Sequence, residues 1–126
     1  MGAIQSFKDL KIWQIGMDIA SDVYELTKKF PREELYGLTS QLRRAAVSIP
    51  ANIAEGQGRS STKEFINHLS IAYGSLMELE THIQIANRLG YIGEDSLEAL
   101  LERTSEIGRM LNGLMQVLND KLIADH

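Results

Sequence analysis

The chain has 126 residues, 44% hydrophobic and 24% charged, a size and composition that suit one folded domain and exclude a disordered or fibrous polymer. It contains no cysteine, which excludes disulfides, thiol catalysis and cysteine metal sites and fits a reducing compartment. The formal net charge of −4 argues against a globally basic nucleic-acid binder.

The charge is uneven, however. Residues 1–63 hold nine Lys/Arg against seven Asp/Glu, a balance of +2, and residues 64–126 hold four against ten, a balance of −6. Met1 to Lys11 lacks the apolar core of a signal peptide, and no apolar run approaches the roughly 18 residues of a membrane span. The expectation is a single cytoplasmic domain over 1–126 with no membrane association.

Two prolines and few alternating β-branched runs make helix the default. Ser6 is a good N-cap, with Asp9 in a box-like position, so the first helix is predicted over 7–29. Phe30-Pro31 ends it, because the residue before proline avoids the α region. After Gly37, Thr39 or Ser40 can cap a second helix over 39–56, with a kink or a fresh start at Pro50. Gly56-Gln57-Gly58 stops it, glycine taking the left-handed position after the helix. Ser61-Thr62-Lys63-Glu64 is a capping box for a third helix over 62–89, with Gly90 as its stop. Asp95-Ser96-Leu97-Glu98 is a second box, opening a fourth helix over 96–122. Helices of about 33 Å joined by short links pack most simply as an all-α, up-down-up-down four-helix bundle.

The first helix carries two apolar stripes. One is Leu10, Trp13, Met17, Ala20 and Tyr24. The other, roughly 120° away, is Ile12, Ile15, Ile19, Val23, Leu26 and Phe30. An arc of about 200° exceeds the roughly 100° of a one-sided surface helix. Ile12, Ile15, Ile19, Val23, Leu26 and Phe30 are therefore assigned to a subunit interface. The third helix has the stripe Phe65, Leu69, Ala72, Leu76, Leu79, Ile83 and Ala86, with Glu80 at its edge. A carboxylate there needs a partner or a path to solvent; Arg43 or Arg44 is the candidate partner.

Chemistry is sparse. Glu64/His68 and Glu78/His82 have metal-ligand spacing, but the two histidines lie about 21 Å apart along the axis, so one ion cannot use both. They read as exposed pairs, and His126 as a frayed tail. Gly56 to Ser61 superficially resembles a phosphate loop but follows a helix and lacks the Lys-Ser/Thr ending, so it reads first as a turn. No nucleophile–base–acid set is visible. No metal, cofactor or small-molecule substrate is expected, and no enzymatic activity. The remaining set is basic: Arg32, Arg43, Arg44, Arg59 and Lys63 fall near the second helix or its ends. Arg43 and Arg44 are about 100° apart, so only one of them can point inward.

The stretch from Phe30-Pro31-Arg32 through Gln41-Leu42-Arg43-Arg44-Ala45-Ala46 to Ala54-Glu55-Gly56 resembles the four-helix-bundle proteins encoded in 23S rRNA intervening sequences. So do Phe7-Lys8-Asp9-Leu10 with Trp13, Gly74-Ser75-Leu76-Met77-Glu78-Leu79-Glu80-Thr81, and Leu89-Gly90-Tyr91-Ile92. The resemblance implies an up-down bundle that assembles as a homopentamer, related to the accessory variability protein of diversity-generating retroelements, which partners a reverse transcriptase and contacts nucleic acid. It implies no catalytic residues. The expected function is thus a non-catalytic homo-oligomeric scaffold, a pentamer by the resemblance, that contacts RNA or a nucleic-acid-processing protein through Arg32, Arg43, Arg44, Arg59 and Lys63. The alternative is a protein-only adaptor that recruits a partner through its apolar faces and acidic fourth helix.

Overall fold

A computed structural model describes residues 6–125, apart from the side chain of Asp9. His126 and the proposed capping role of the Asp9 side chain lie outside the described residues. Four α-helices follow one another: α1 Lys11–Thr27, α2 Leu38–Gln57, α3 Thr62–Arg88 and α4 Glu94–Ala124, with short 3-10 turns at Phe7–Asp9 and Arg32–Glu34.

Close contacts fix the topology. Gly16 approaches Pro50, and Arg43 lies over Tyr24, so α1 and α2 are antiparallel. Ser48 meets Ser75, and Gly56 meets Phe65 and His68, so α3 turns back along α2. Gly108 meets Leu76, and an Arg103–Asp22 ion pair joins α4 to α1 and closes the bundle. The most extensive packing is between α2 and α3, and the sparsest between α1 and α4.

The core follows the predicted stripes. Leu69, Ala72, Leu76, Leu79, Ile83 and Ala86 of α3 are fully buried against Leu42, Ala46, Ile49 and Ile53 of α2 and Ile107 and Leu111 of α4. Each large side chain removed from water contributes about 1.5–3 kcal/mol, more than helix propensity can. Among the described residues, no helix is long and apolar enough to cross a membrane.

Several helix ends differ from the sequence reading. Ser6 Oγ accepts from the Lys8 N–H, but it serves the 3-10 turn; extended backbone at Leu10 delays α1 to Lys11 and lets the Phe7 ring meet Trp13 edge-on at 5.3 Å. Neither Thr39 nor Ser40 caps α2. Gly37 is the N-cap, and the Glu34 carboxylate accepts the Leu38 N–H from outside, leaving Thr39 buried in the first turn. Pro50 starts no new helix: α2 runs unbroken through it. Proline inside a helix costs roughly 3 kcal/mol, and burial of its ring against the bare backbone of Gly16 offsets that. Gly58 closes α2 in right-handed conformation, φ −77°, not the left-handed one expected. The second capping box is not used: Gly93 is the N-cap of α4, and Glu94 and Asp95 lie in its first turn, where carboxylates favour the helix dipole.

Two signals read as expected. Ser61 Oγ accepts the Glu64 N–H at 3.1 Å. Gly90 has φ +81°, and the N–H groups of Tyr91 and Gly90 donate to the carbonyls of Ala86 and Asn87, which satisfies the end of α3.

Glycine substitutions separate packing from propensity. A Cβ on Gly56 would lie 2.8 Å from His68 Cβ and 2.9 Å from Phe65 Cδ1, so α3 would have to move. Gly56→Ala gains about 1 kcal/mol of propensity and meets an overpacking cost of about 1–3 kcal/mol; urea denaturation should show net destabilisation. Gly74, with nothing within 4 Å, should be stabilised by about 0.5–1 kcal/mol on mutation to alanine.

Tyr91 ties the α3–α4 link to the approach to α2: its hydroxyl donates to Glu34 Oε2 at 3.0 Å. That hydrogen bond, then burial, then the Glu34 charge raise the phenol above its ordinary range. A raised folded-state value means that the stabilisation is present below the unfolded tyrosine range and is lost as pH rises through the folded one. Wild type should therefore be more stable than Tyr91→Phe at neutral pH, and chemical denaturation should show that difference shrinking as pH rises past the ordinary tyrosine range.

Candidate binding groove

The close approach of α1 and α2 determines how the two adjacent arginines divide. At the end of α1, Thr27 is 3% exposed and its hydroxyl donates back to the Val23 carbonyl at 2.7 Å. The same oxygen accepts from Arg43 Nε at 2.9 Å. The Arg43 guanidinium carbon then sits 4.5 Å from the centroid of the Tyr24 ring, a cation–π arrangement. Arg43 is thus fixed by a hydroxyl and a ring. Arg44, one residue on, is exposed and has no ion-pair partner among the described residues.

Both arginines line an open groove of about 660 Å³ across the N-terminal half of α2. Tyr24, Leu35 and Tyr36 bound one end, and Ser48, Ser75 and Glu78 lie toward α3. Tyr36 is 93% exposed. A polar ladder underlies the α2–α3 seam: Ser48 and Ser75 share a hydrogen bond of 2.8 Å, Asn52 Nδ2 donates to Ser48, and His68 Nδ1 stands 3.2 Å from Asn52 Oδ1.

The five basic residues do not form one patch. Arg32 is exposed on the 3-10 turn before α2 and outside the groove lining. Arg59 pairs with Glu55 at 3.0 Å and lies roughly 22 Å from Arg44 along the helix. Lys63 belongs to a separate depression at the start of α3, with Ser61, Ile66 and Ser70.

Other assignments need correction. Glu80 forms no pair with Arg43 or Arg44; it is half-buried at the edge of the α3 stripe, while Thr27 and Tyr24 take Arg43. Ile12, Ile19, Val23 and Phe30 are buried in the chain's own core, and Ile15 and Leu26 pack partly buried against it, so this stripe is not free for a second copy. Of the other stripe, Trp13 and Ala20 also pack partly buried against the core, and only Met17 and Tyr24, each 42% exposed, face outward. His68 is half-buried on Asn52 and is no exposed partner of Glu64, and the buried Nδ1 of His82 has no hydrogen-bond partner. No group of three His, Asp or Glu side chains at metal-binding distance occurs among the described residues.

Sequence reading missed Tyr36 and Glu78 as groove residues, and Thr27 as the buried hydroxyl that holds Arg43. Tyr36 beside Gly37 was the available signal, an aromatic ring in a turn that no apolar stripe claims.

The family model for the 23S rRNA-intervening sequence protein matches residues 8–113. A crystal structure of a protein with unknown function from the S23 ribosomal protein family of Bacteroides thetaiotaomicron is 27% identical, with a TM-score of 0.77, covering 82% of this chain and 97% of that one. Among curated proteins none matches the chain. With the family model spanning all four helices as far as Gly113, the chain belongs to the 23S rRNA-intervening sequence protein family.

Proposed function

We propose that this chain is a non-catalytic binding protein that works as a homo-oligomer, a pentamer by the expectation above, and contacts RNA through the α2 groove. The observation that carries this reading is the pairing of a pre-oriented Arg43 with an unpaired Arg44 and an exposed Tyr36 in one concavity. Arginine binds phosphate and stacks on planar groups, and tyrosine stacks on bases. The acidic second half keeps net charge negative, so binding is local to the groove and weakens as salt rises.

Anisotropy titration of labelled, structured rRNA at two salt concentrations tests this. Arg44→Glu should weaken binding about tenfold or more, close to 1.4 kcal/mol, with the melting temperature unchanged. Wild-type protein that retains no RNA at low salt overturns the reading.

Self-association is supported by Met17 and Tyr24, the two large apolar side chains that α1 leaves exposed. Light scattering should give a native mass that is a multiple of 14.1 kDa, and Met17→Glu should lower it. A monomeric wild type removes the homo-oligomer from the proposal.

Leu35 and Val47, both exposed in the groove wall, favour a second reading in which a protein occupies it. Partners that survive nuclease treatment in a pull-down support that adaptor role.

A further inference from the structure

We propose that the groove takes an unpaired RNA segment, with one base stacked on Tyr36, a phosphate on Arg44, and the exocyclic amino group of a neighbouring base donating to Glu78. This rests on the RNA reading above and specifies its ligand.

The supply of cations lining the groove favours a single strand over a duplex footprint. Duplex binding tracks a backbone through many phosphate contacts. Here Arg59 is engaged by Glu55, Lys63 belongs to another depression, and only Arg43 and Arg44 line the groove. Two cations suit a short single strand, whose remaining affinity must come from stacking.

Tyr36 is suited to that task because its turn is held. Glu34 anchors it through the Leu38 N–H at 3.2 Å and the Tyr91 hydroxyl at 3.0 Å, and the Gly37 N–H donates to the Glu34 carbonyl at 3.0 Å. A ring 93% exposed on an anchored turn is a platform that needs little ordering when a base arrives. Arg44 lies six residues beyond Leu38, the first residue of α2, roughly 9 Å along the axis, and Tyr36 stands in the turn just before it, so one unpaired stretch can touch both.

Glu78 gives the groove a side for the base. It is exposed, lines the groove, and forms no ion pair among the described residues. A carboxylate repels phosphate but accepts from N–H groups. The neighbouring Ser48 and Ser75 hydroxyls are bonded to each other, which leaves Glu78 as the charged acceptor on that side. Adenine and cytosine present an amino group; uracil presents two carbonyl oxygens around a single N–H.

The test uses fluorescein-labelled oligo(A), oligo(U) and the duplex of the two, titrated with full-length protein. Oligo(A) should bind about tenfold tighter than either oligo(U) or the duplex. Its salt dependence should correspond to about two phosphates, a logarithmic slope near −1.4. Tyr36→Ala should weaken oligo(A) about tenfold, and Glu78→Gln should bring oligo(A) and oligo(U) to similar affinities without weakening both. Duplex bound as tightly as oligo(A), or no loss in Tyr36→Ala, overturns this inference and leaves the RNA reading standing. Failure of every RNA form to bind, with a nuclease-resistant protein partner lost in Tyr36→Ala, overturns both and makes the groove a protein site.

Discussion

The close approach of α1 and α2 at Gly16 and Pro50 is the constraint on which the rest of the groove depends. A Cβ on Gly16 would already stand 3.3 Å from the Pro50 Cβ, so any larger side chain there would push the helices apart. Ala46, one turn before Pro50 on the same face of α2, is small and buried as well. The small size of Gly16 and Ala46 lets the helices run close enough for Thr27 to reach Arg43 and for the Tyr24 ring to lie under its guanidinium. A wider separation would release Arg43 into solvent and dissolve one wall of the groove. The core geometry and the surface chemistry are therefore two consequences of the same packing.

The division between Arg43 and Arg44 follows from helix geometry. Neighbouring residues point about 100° apart, so one can face α1 only if the other does not. Arg43 gives up conformational freedom to a hydroxyl and a ring, and Arg44 keeps its charge free. A chain that is acidic as a whole thus presents one held and one free guanidinium side by side, the arrangement on which the proposed site rests. The acidic residues of α4 lie on another side of the bundle and limit the site to short-range contacts under physiological screening.

Much of the fold was legible in the sequence. The α3 stripe from Leu69 to Ala86, the Ser61 cap and the Gly90 stop each carry a local physical signal, and each is found where it was read. Helix starts were less legible where the cap comes from outside the local box: Glu34 capping α2 across four residues competes with Thr39 and Ser40, and only the tertiary path shows which wins. The first helix misled in a different way. Its two apolar stripes are both plain, but nothing in their spacing says which one the chain buries itself. Trp13, Met17 and Tyr24 look as suited to a core as Ile12, Ile19 and Val23. The groove was the least legible part. Arg43 and Arg44 stood out by charge and Tyr36 by its place in a turn, while Thr27 and Glu78 gain their roles from helices brought together across the bundle, which no local pattern records.

Recognition through the α2 groove is tested most directly by nuclear magnetic resonance of isotope-labelled protein during addition of unpaired RNA. The account predicts shifts concentrated at Tyr36, Arg44, Ser48, Ser75 and Glu78, with the Tyr36 ring resonances moving upfield as a base stacks on them. Shifts confined to Arg59, Lys63 and the turn between α2 and α3 would contradict it and place recognition at the opposite end of the bundle.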